Sequence, residues 1–171
     1  MRIKGIKDVD FVNYHKTSMF IIFPQCSFKC DKENGCNLCQ NSHLAQEPTL
    51  DITVPNLLRM YEDNPLTKAI VCGGLEPFDS KKDLLELVET AREWCGINDD
   101  IVIYTGYTEE ELEDDWYFQS IISYPNIVIK FGRFRPNDKG YYNDVLGVTL
   151  ASNNQYARRY NYRDEVIKNE I

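Results

Sequence analysis

The residues best placed to do chemistry are four cysteines within fourteen positions, in the run Cys26-Ser-Phe-Lys-Cys30-Asp-Lys-Glu-Asn-Gly-Cys36-Asn-Leu-Cys39. Several thiolates on one flexible loop can wrap a single soft-metal centre, and both iron-sulfur clusters and structural zinc are held in this way. A second segment, Gly73-Gly74-Leu75-Glu76-Pro77-Phe78, offers a different chemistry. Two glycines at a strand end let the backbone approach a ligand closely, and Glu76 can accept from an amino group. A plain turn reads the same way in isolation. No Gly-Lys-Ser/Thr follows, so the segment is not a phosphate-binding P-loop. Cys72 and Cys95 stand alone and read as small buried hydrophobes.

These segments need elements to position them. Met19 to Phe23 is a short apolar run ended by Pro24, which predicts a buried strand directly before the cysteines. Pro55, with Leu57, Leu58 and Tyr61 on one face, predicts a helix. Ala69 to Cys72 is a second strand ending at the two glycines. Ser80 to Trp94 carries a helical stripe of Leu84, Leu87, Val88, Ala91 and Trp94, with Gly96 to end it. Ile101 to Tyr104 is a third strand, Thr108 starts an acidic helix, and Ile127 to Phe131 is a fourth strand. From Tyr141 to Ile171 the chain is polar and tyrosine-rich, and only a short strand around Val145 to Leu150 is predicted.

Strands alternating with helices imply an α/β fold with a mostly parallel sheet. Four or five such units are too few to close eight strands, so the expectation is a partial, open β/α barrel forming a single domain over residues 1–171. In such folds chemistry gathers at the C-terminal strand ends. The cysteine loop, GGLEPF, YTGY and FGRF then share one edge. A zinc knuckle has no need of that address, which tilts the cysteines toward an iron-sulfur cluster.

A net charge of -8 without any Lys/Arg-rich run argues against nucleic-acid binding. The segment Met1 to Lys16 lacks the apolar core of a signal peptide, and no run approaches the ~18 apolar residues of a membrane span. A cytoplasmic protein is therefore expected.

The cysteine loop, with Phe28 inside it and Leu38 before its last cysteine, resembles the radical S-adenosylmethionine superfamily. GGLEP resembles that superfamily's Gly-Gly-Glu-Pro motif with one inserted Leu. Ile103-Tyr-Thr-Gly-Tyr107 and Ala151-Ser-Asn-Asn-Gln155 further resemble the anaerobic (class III) ribonucleotide reductase activating proteins, and the likeness spans Asp10 to about Tyr160. The resemblance implies a [4Fe-4S] cluster on three cysteines, with S-adenosylmethionine chelated to the fourth iron and cleaved to a 5'-deoxyadenosyl radical that takes a hydrogen from a glycine of the reductase. It further implies that Gly73, Gly74 and Glu76 face the methionine amino group, Leu38 packs near the adenine, and Thr105 lines the same edge. The reductase is the implied protein substrate, and a flavodoxin or ferredoxin the kind of electron donor.

The chain departs from the family's C-x3-C-x2-C, reading C-x3-C-x5-C-x2-C instead. The ligand set is then Cys26, Cys30 and Cys39, which keeps the opening spacing, or Cys26, Cys36 and Cys39. An activase of another glycyl-radical enzyme, another small radical enzyme and a zinc-stabilised binding module are the competing readings. His15 and His43 read as surface or hydrogen-bonded residues, and Glu109 to Asp115 as a solvated helix face. Tyr141, Tyr142, Tyr156, Tyr160 and Tyr162 suit either a recognition surface or packing beneath the sheet.

Overall fold

The structure is a computed structural model that describes residues 1–161. In chain order its elements are β1 (Arg2–Ile3), β2 (Gly5–Asp10), β3 (Ser18–Ile22), α1 (Lys29–Asn34), β4 (Leu50–Asp51), α2 (Val54–Glu62), β5 (Ala69–Gly73), α3 (Lys81–Glu89), β6 (Asp100–Tyr104), α4 (Glu109–Leu112), α5 (Trp116–Ile122), β7 (Ile127–Phe131), β8 (Tyr141–Asn143), β9 (Val148–Leu150) and β10 (Tyr156–Tyr160). The four apolar runs become β3, β5, β6 and β7, parallel neighbours in a sheet ordered β10-β7-β6-β5-β3-β2. Both edge strands, β2 and β10, run antiparallel to their neighbours.

Both faces of the parallel strands are buried, which is why the runs show no polar alternation. Ile70, Cys72, Ile101, Ile103, Ile127, Ile129 and Phe131 point to one face, where α2, α3 and α5 lay down Leu57, Leu58, Leu84, Leu87, Val88, Phe118 and Ile121. The opposite face, with Ala69, Val71, Val102 and Val128, meets no helix among the described residues; Tyr14 and the β8–β9 hairpin, through Leu146 and Leu150, cover it. Among the described residues the sheet is thus open and mixed, with helices on one side only. The expected helix from Ser80 to Trp94 is α3 continued by a π turn over Thr90–Trp94, ending at Gly96 with φ 66°. Among the described residues no helix is long and apolar enough to cross a membrane.

The polar C-terminal stretch supplies an edge strand because one residue of it answers a buried charge. Asp100 opens β6 on the hairpin-covered face and accepts hydrogen bonds from Tyr14 Oη at 2.8 Å, Lys16 Nζ at 2.6 Å and the Arg159 guanidinium of β10. Burial opposes its charge, but the bonds from Arg159, Lys16 and Tyr14 outweigh burial and hold the carboxyl down at about 2. A carboxyl depressed in the fold stabilises it above its ordinary value, and that stability disappears as pH falls through the folded value. Asp100→Asn is expected to cost roughly 2 kcal/mol in denaturant melts near pH 7. The gap between parent and variant should close between about pH 4 and about pH 2; a gap independent of pH would contradict this account. Tyr156 and Tyr160 pack against the helix-covered core, Tyr141 and Tyr142 are exposed, and Tyr162 lies outside the described residues.

Candidate metal centre and ligand cavity

The C-terminal ends of β3, β5, β6 and β7 surround one cavity of about 340 Å³. Cys26 enters it directly after β3. Its position is set by Asp79, whose carboxylate accepts from Ser27 N and, at 2.6 Å, from Tyr107 Oη, while Glu76 N donates to Gln25 O at 3.0 Å. Phe28, at φ 51°, turns the chain into α1, which carries Cys30. Gly35 ends that helix at φ 68°, and the returning chain donates Leu38 N and Cys39 N to Asp31 Oδ1 at 2.9 and 2.8 Å.

Cys26, Cys30 and Cys39 all line the cavity, and the Cys30 thiol neighbours that of Cys39. Cys36 is exposed at the outer end of the loop, 3.4 Å from Asn34 O. Burial pushes the Cys26 thiol up to about 12 and raises Cys30, where the Cys39 and Asp31 charges add to burial. Among the described residues, no three Cys, His, Asp or Glu side chains gather closely enough to hold a metal ion as they stand. The donors are nonetheless the right ones for a soft metal: three thiols lining one cavity, which must lose their protons to become ligands.

Gly74-Leu75-Glu76 and Thr105-Gly106 line the same cavity. Gly74 has φ 80°, and a Cβ there would meet Ile22 Cγ2 at 2.7 Å, so conformation and space both demand glycine. Glu76 is buried. Its Oε1 accepts from Phe78 N at 3.1 Å and Thr105 Oγ1 at 2.7 Å, and its Oε2 from Gly106 N at 2.8 Å. The carboxylate therefore ties the β5 loop to the β6 loop. Burial pushes it up to about 7, against the pull of these three donors. Gly73 sits within β5, its carbonyl accepting from Phe23 N at 2.9 Å, and it does not reach the cavity. Leu38, half-buried next to Cys39, also lies off the cavity wall.

Two residues here carried no role in the sequence reading. Lys130 lies in β7 with its side chain buried in the cavity, where carbonyls hold the ammonium, Gly132 O at 2.8 Å and Thr105 O at 3.5 Å. Burial lowers it to about 8, partly offset by the Glu76 and Cys30 charges. A lysine inside the apolar run Ile127-Val-Ile-Lys-Phe131 was the available signal, since lysine is almost never fully buried without a reason. Arg133 grips Glu111 through two bonds of 2.8 and 2.7 Å, and its Nε lies 3.1 Å from Glu33 of α1. Lys29 reaches the same Glu111 at 3.3 Å, so the acidic run is in part a brace for the cysteine loop rather than a solvated face.

The Ala151–Gln155 segment is a brace as well. Asn154 Nδ2 donates to Arg133 O at 2.9 Å, and Gln155 Nε2 to Gly132 O at 3.3 Å, fixing the loop after β7. His15 and His43 are exposed and do not line the cavity.

No curated protein matches the chain. The family profile described as "4Fe-4S single cluster domain" matches residues 16–156, which contain all four clustered cysteines and the four parallel strands of the sheet. Spanning so much of the sequence, that match agrees with the thiol-lined cavity, and the chain belongs to the family of 4Fe-4S single cluster domains.

Proposed function

We propose that the chain is a radical S-adenosylmethionine activase, which uses its cluster to place a glycyl radical on an anaerobic ribonucleotide reductase. The observation that carries this reading is the composition of this cavity: Cys26, Cys30 and Cys39 share its lining with Gly74, Glu76 and Thr105. A cluster domain concerned with electron transfer alone has no use for a ligand-sized space beside its thiols. When bound, a [4Fe-4S] cluster on three thiolates supplies an electron for reductive cleavage of S-adenosylmethionine.

The protein's part is to bind and orient. Glu76 Oε2 accepts only one internal donor, leaving room for an amino group, and the backbone after Gly73 lies beside it. The Lys130 ammonium, buried among carbonyls, suits the carboxylate of the same methionine end. Thr105, oriented by its bonds to Glu76 and Tyr107 N, completes that wall. The one-sided array of helices supports reading the open sheet as a partial barrel of the radical S-adenosylmethionine type.

Protein reconstituted anaerobically should be brown with about four irons per chain, and should release 5'-deoxyadenosine only with a reductant present. Added to the reductase, it should produce a glycyl-radical resonance. An activase of another glycyl-radical enzyme would pass the first two tests and fail the third. A colourless protein holding only zinc would end the proposal.

A further inference from the structure

The cysteine run carries a long insertion between Cys30 and Cys39, and a loop of eight intervening residues has no intrinsic reason to bring its ends together. We infer that Asp31 is the positioning residue that folds this insertion out of the site and sets Cys30 and Cys39 side by side. The inference rests on Cys26, Cys30 and Cys39 forming the ligand set.

The geometry is local and specific. Asp31 follows Cys30 on α1, and its Oδ1 accepts from two consecutive amides, Leu38 N at 2.9 Å and Cys39 N at 2.8 Å. One carboxylate oxygen thus closes the loop at its base. Gly35 makes the reversal at its far end, and Asn34 Nδ2 returns to Cys30 O at 2.7 Å. What protrudes is Cys36, exposed, while the two cysteines flanking the closure both reach the cavity wall. Without the closure, the amides of Leu38 and Cys39 keep no internal acceptor and nothing else among the described hydrogen bonds ties Cys39 N to α1. A cluster needs all its thiolates presented together, so ordering the loop beforehand lowers the entropic cost of binding.

The test compares full-length Asp31→Ala and Asp31→Asn with the parent after anaerobic reconstitution with ferrous iron and sulfide. Iron is counted after desalting against a chelator, and metal-free samples are melted in parallel. Asp31→Ala should hold the metal roughly 10- to 100-fold more weakly, the usual effect of losing a group that orients a ligand. Asp31→Asn keeps an oxygen acceptor and should restore most of the iron. The metal-free melts should coincide, because the closure lies in a surface loop.

Parent-level iron in Asp31→Ala overturns the inference. So does equal loss in Asp31→Asn, which would make charge rather than the hydrogen bonds responsible. A metal-free Asp31→Ala melt lowered as far as a core substitution lowers it also overturns it, by making Asp31 part of the fold. If Cys39→Ala keeps parent-level iron, the ligand set itself is wrong, a failure distinct from any of these.

Discussion

Cys36→Ala is expected to keep its cluster, while Cys26→Ala, Cys30→Ala and Cys39→Ala each fall from about four irons per chain to almost none. The argument is one of place. Three of the four thiols share the cavity wall and the fourth is exposed at the tip of the insertion. Under the proposed function, a fourth permanent thiolate would also close the iron that S-adenosylmethionine is proposed to occupy, which would make one cysteine dispensable. Losing one of three ligands leaves two thiols, too few to hold a [4Fe-4S] cluster on this loop. Iron analysis and the visible spectrum of the four reconstituted variants decide the matter. A dispensable Cys30 with an essential Cys36 would transfer the assignment to the other spacing.

Glu76→Ala should cost about 3 kcal/mol of stability, because it orphans three donors at once, and should abolish the S-adenosylmethionine cleavage proposed above. Phe78 N, Thr105 Oγ1 and Gly106 N all converge on this carboxylate, and Thr105 and Gly106 belong to the neighbouring strand's loop. Glu76→Gln should be milder in the melt. Its oxygen can serve the two donors that share Oε1, but its amide turns an N–H toward Gly106 N–H.

The pH dependence follows from the raised value of about 7. A carboxyl raised in the fold contributes stability that is complete below its ordinary value and is lost as pH rises through the folded one. The advantage of the parent over Glu76→Gln should therefore shrink between about pH 4.5 and about pH 7. Melts in which that advantage instead grows with pH would show that the three donors, not burial, control the group.

The sequence carried the centre of the fold plainly and its margins poorly. Runs such as Ala69 to Cys72 and Ile101 to Ile103 are apolar on both faces, as a doubly covered parallel strand requires. β10 reads Tyr-Ala-Arg-Arg-Tyr and looks like loop until Arg159 is seen to answer Asp100, a relation 59 residues apart that no local pattern encodes. β2 was missed because its Lys7 and Asp8 are exposed on a sheet edge.

The candidate site divides in the same way. Cysteines and glycines announce themselves by type. The residues that hold them, Asp31, Asp79 and Arg133, are ordinary charges until the structure shows what each one grips. Glu76 was legible as a residue of the site, though its carboxylate proves to be occupied mainly in joining two loops.

The network around Asp100 has a consequence for the order in which the protein can be made. Tyr14 and Arg159 meet there across 145 residues, so this network cannot form until β10 has left the ribosome. The cysteines emerge more than a hundred residues earlier than the Ala151–Gln155 brace that completes the cavity's lining. Until that brace is made the thiols lack part of their cavity's lining, and iron delivery and oxidants alike have freer access to them.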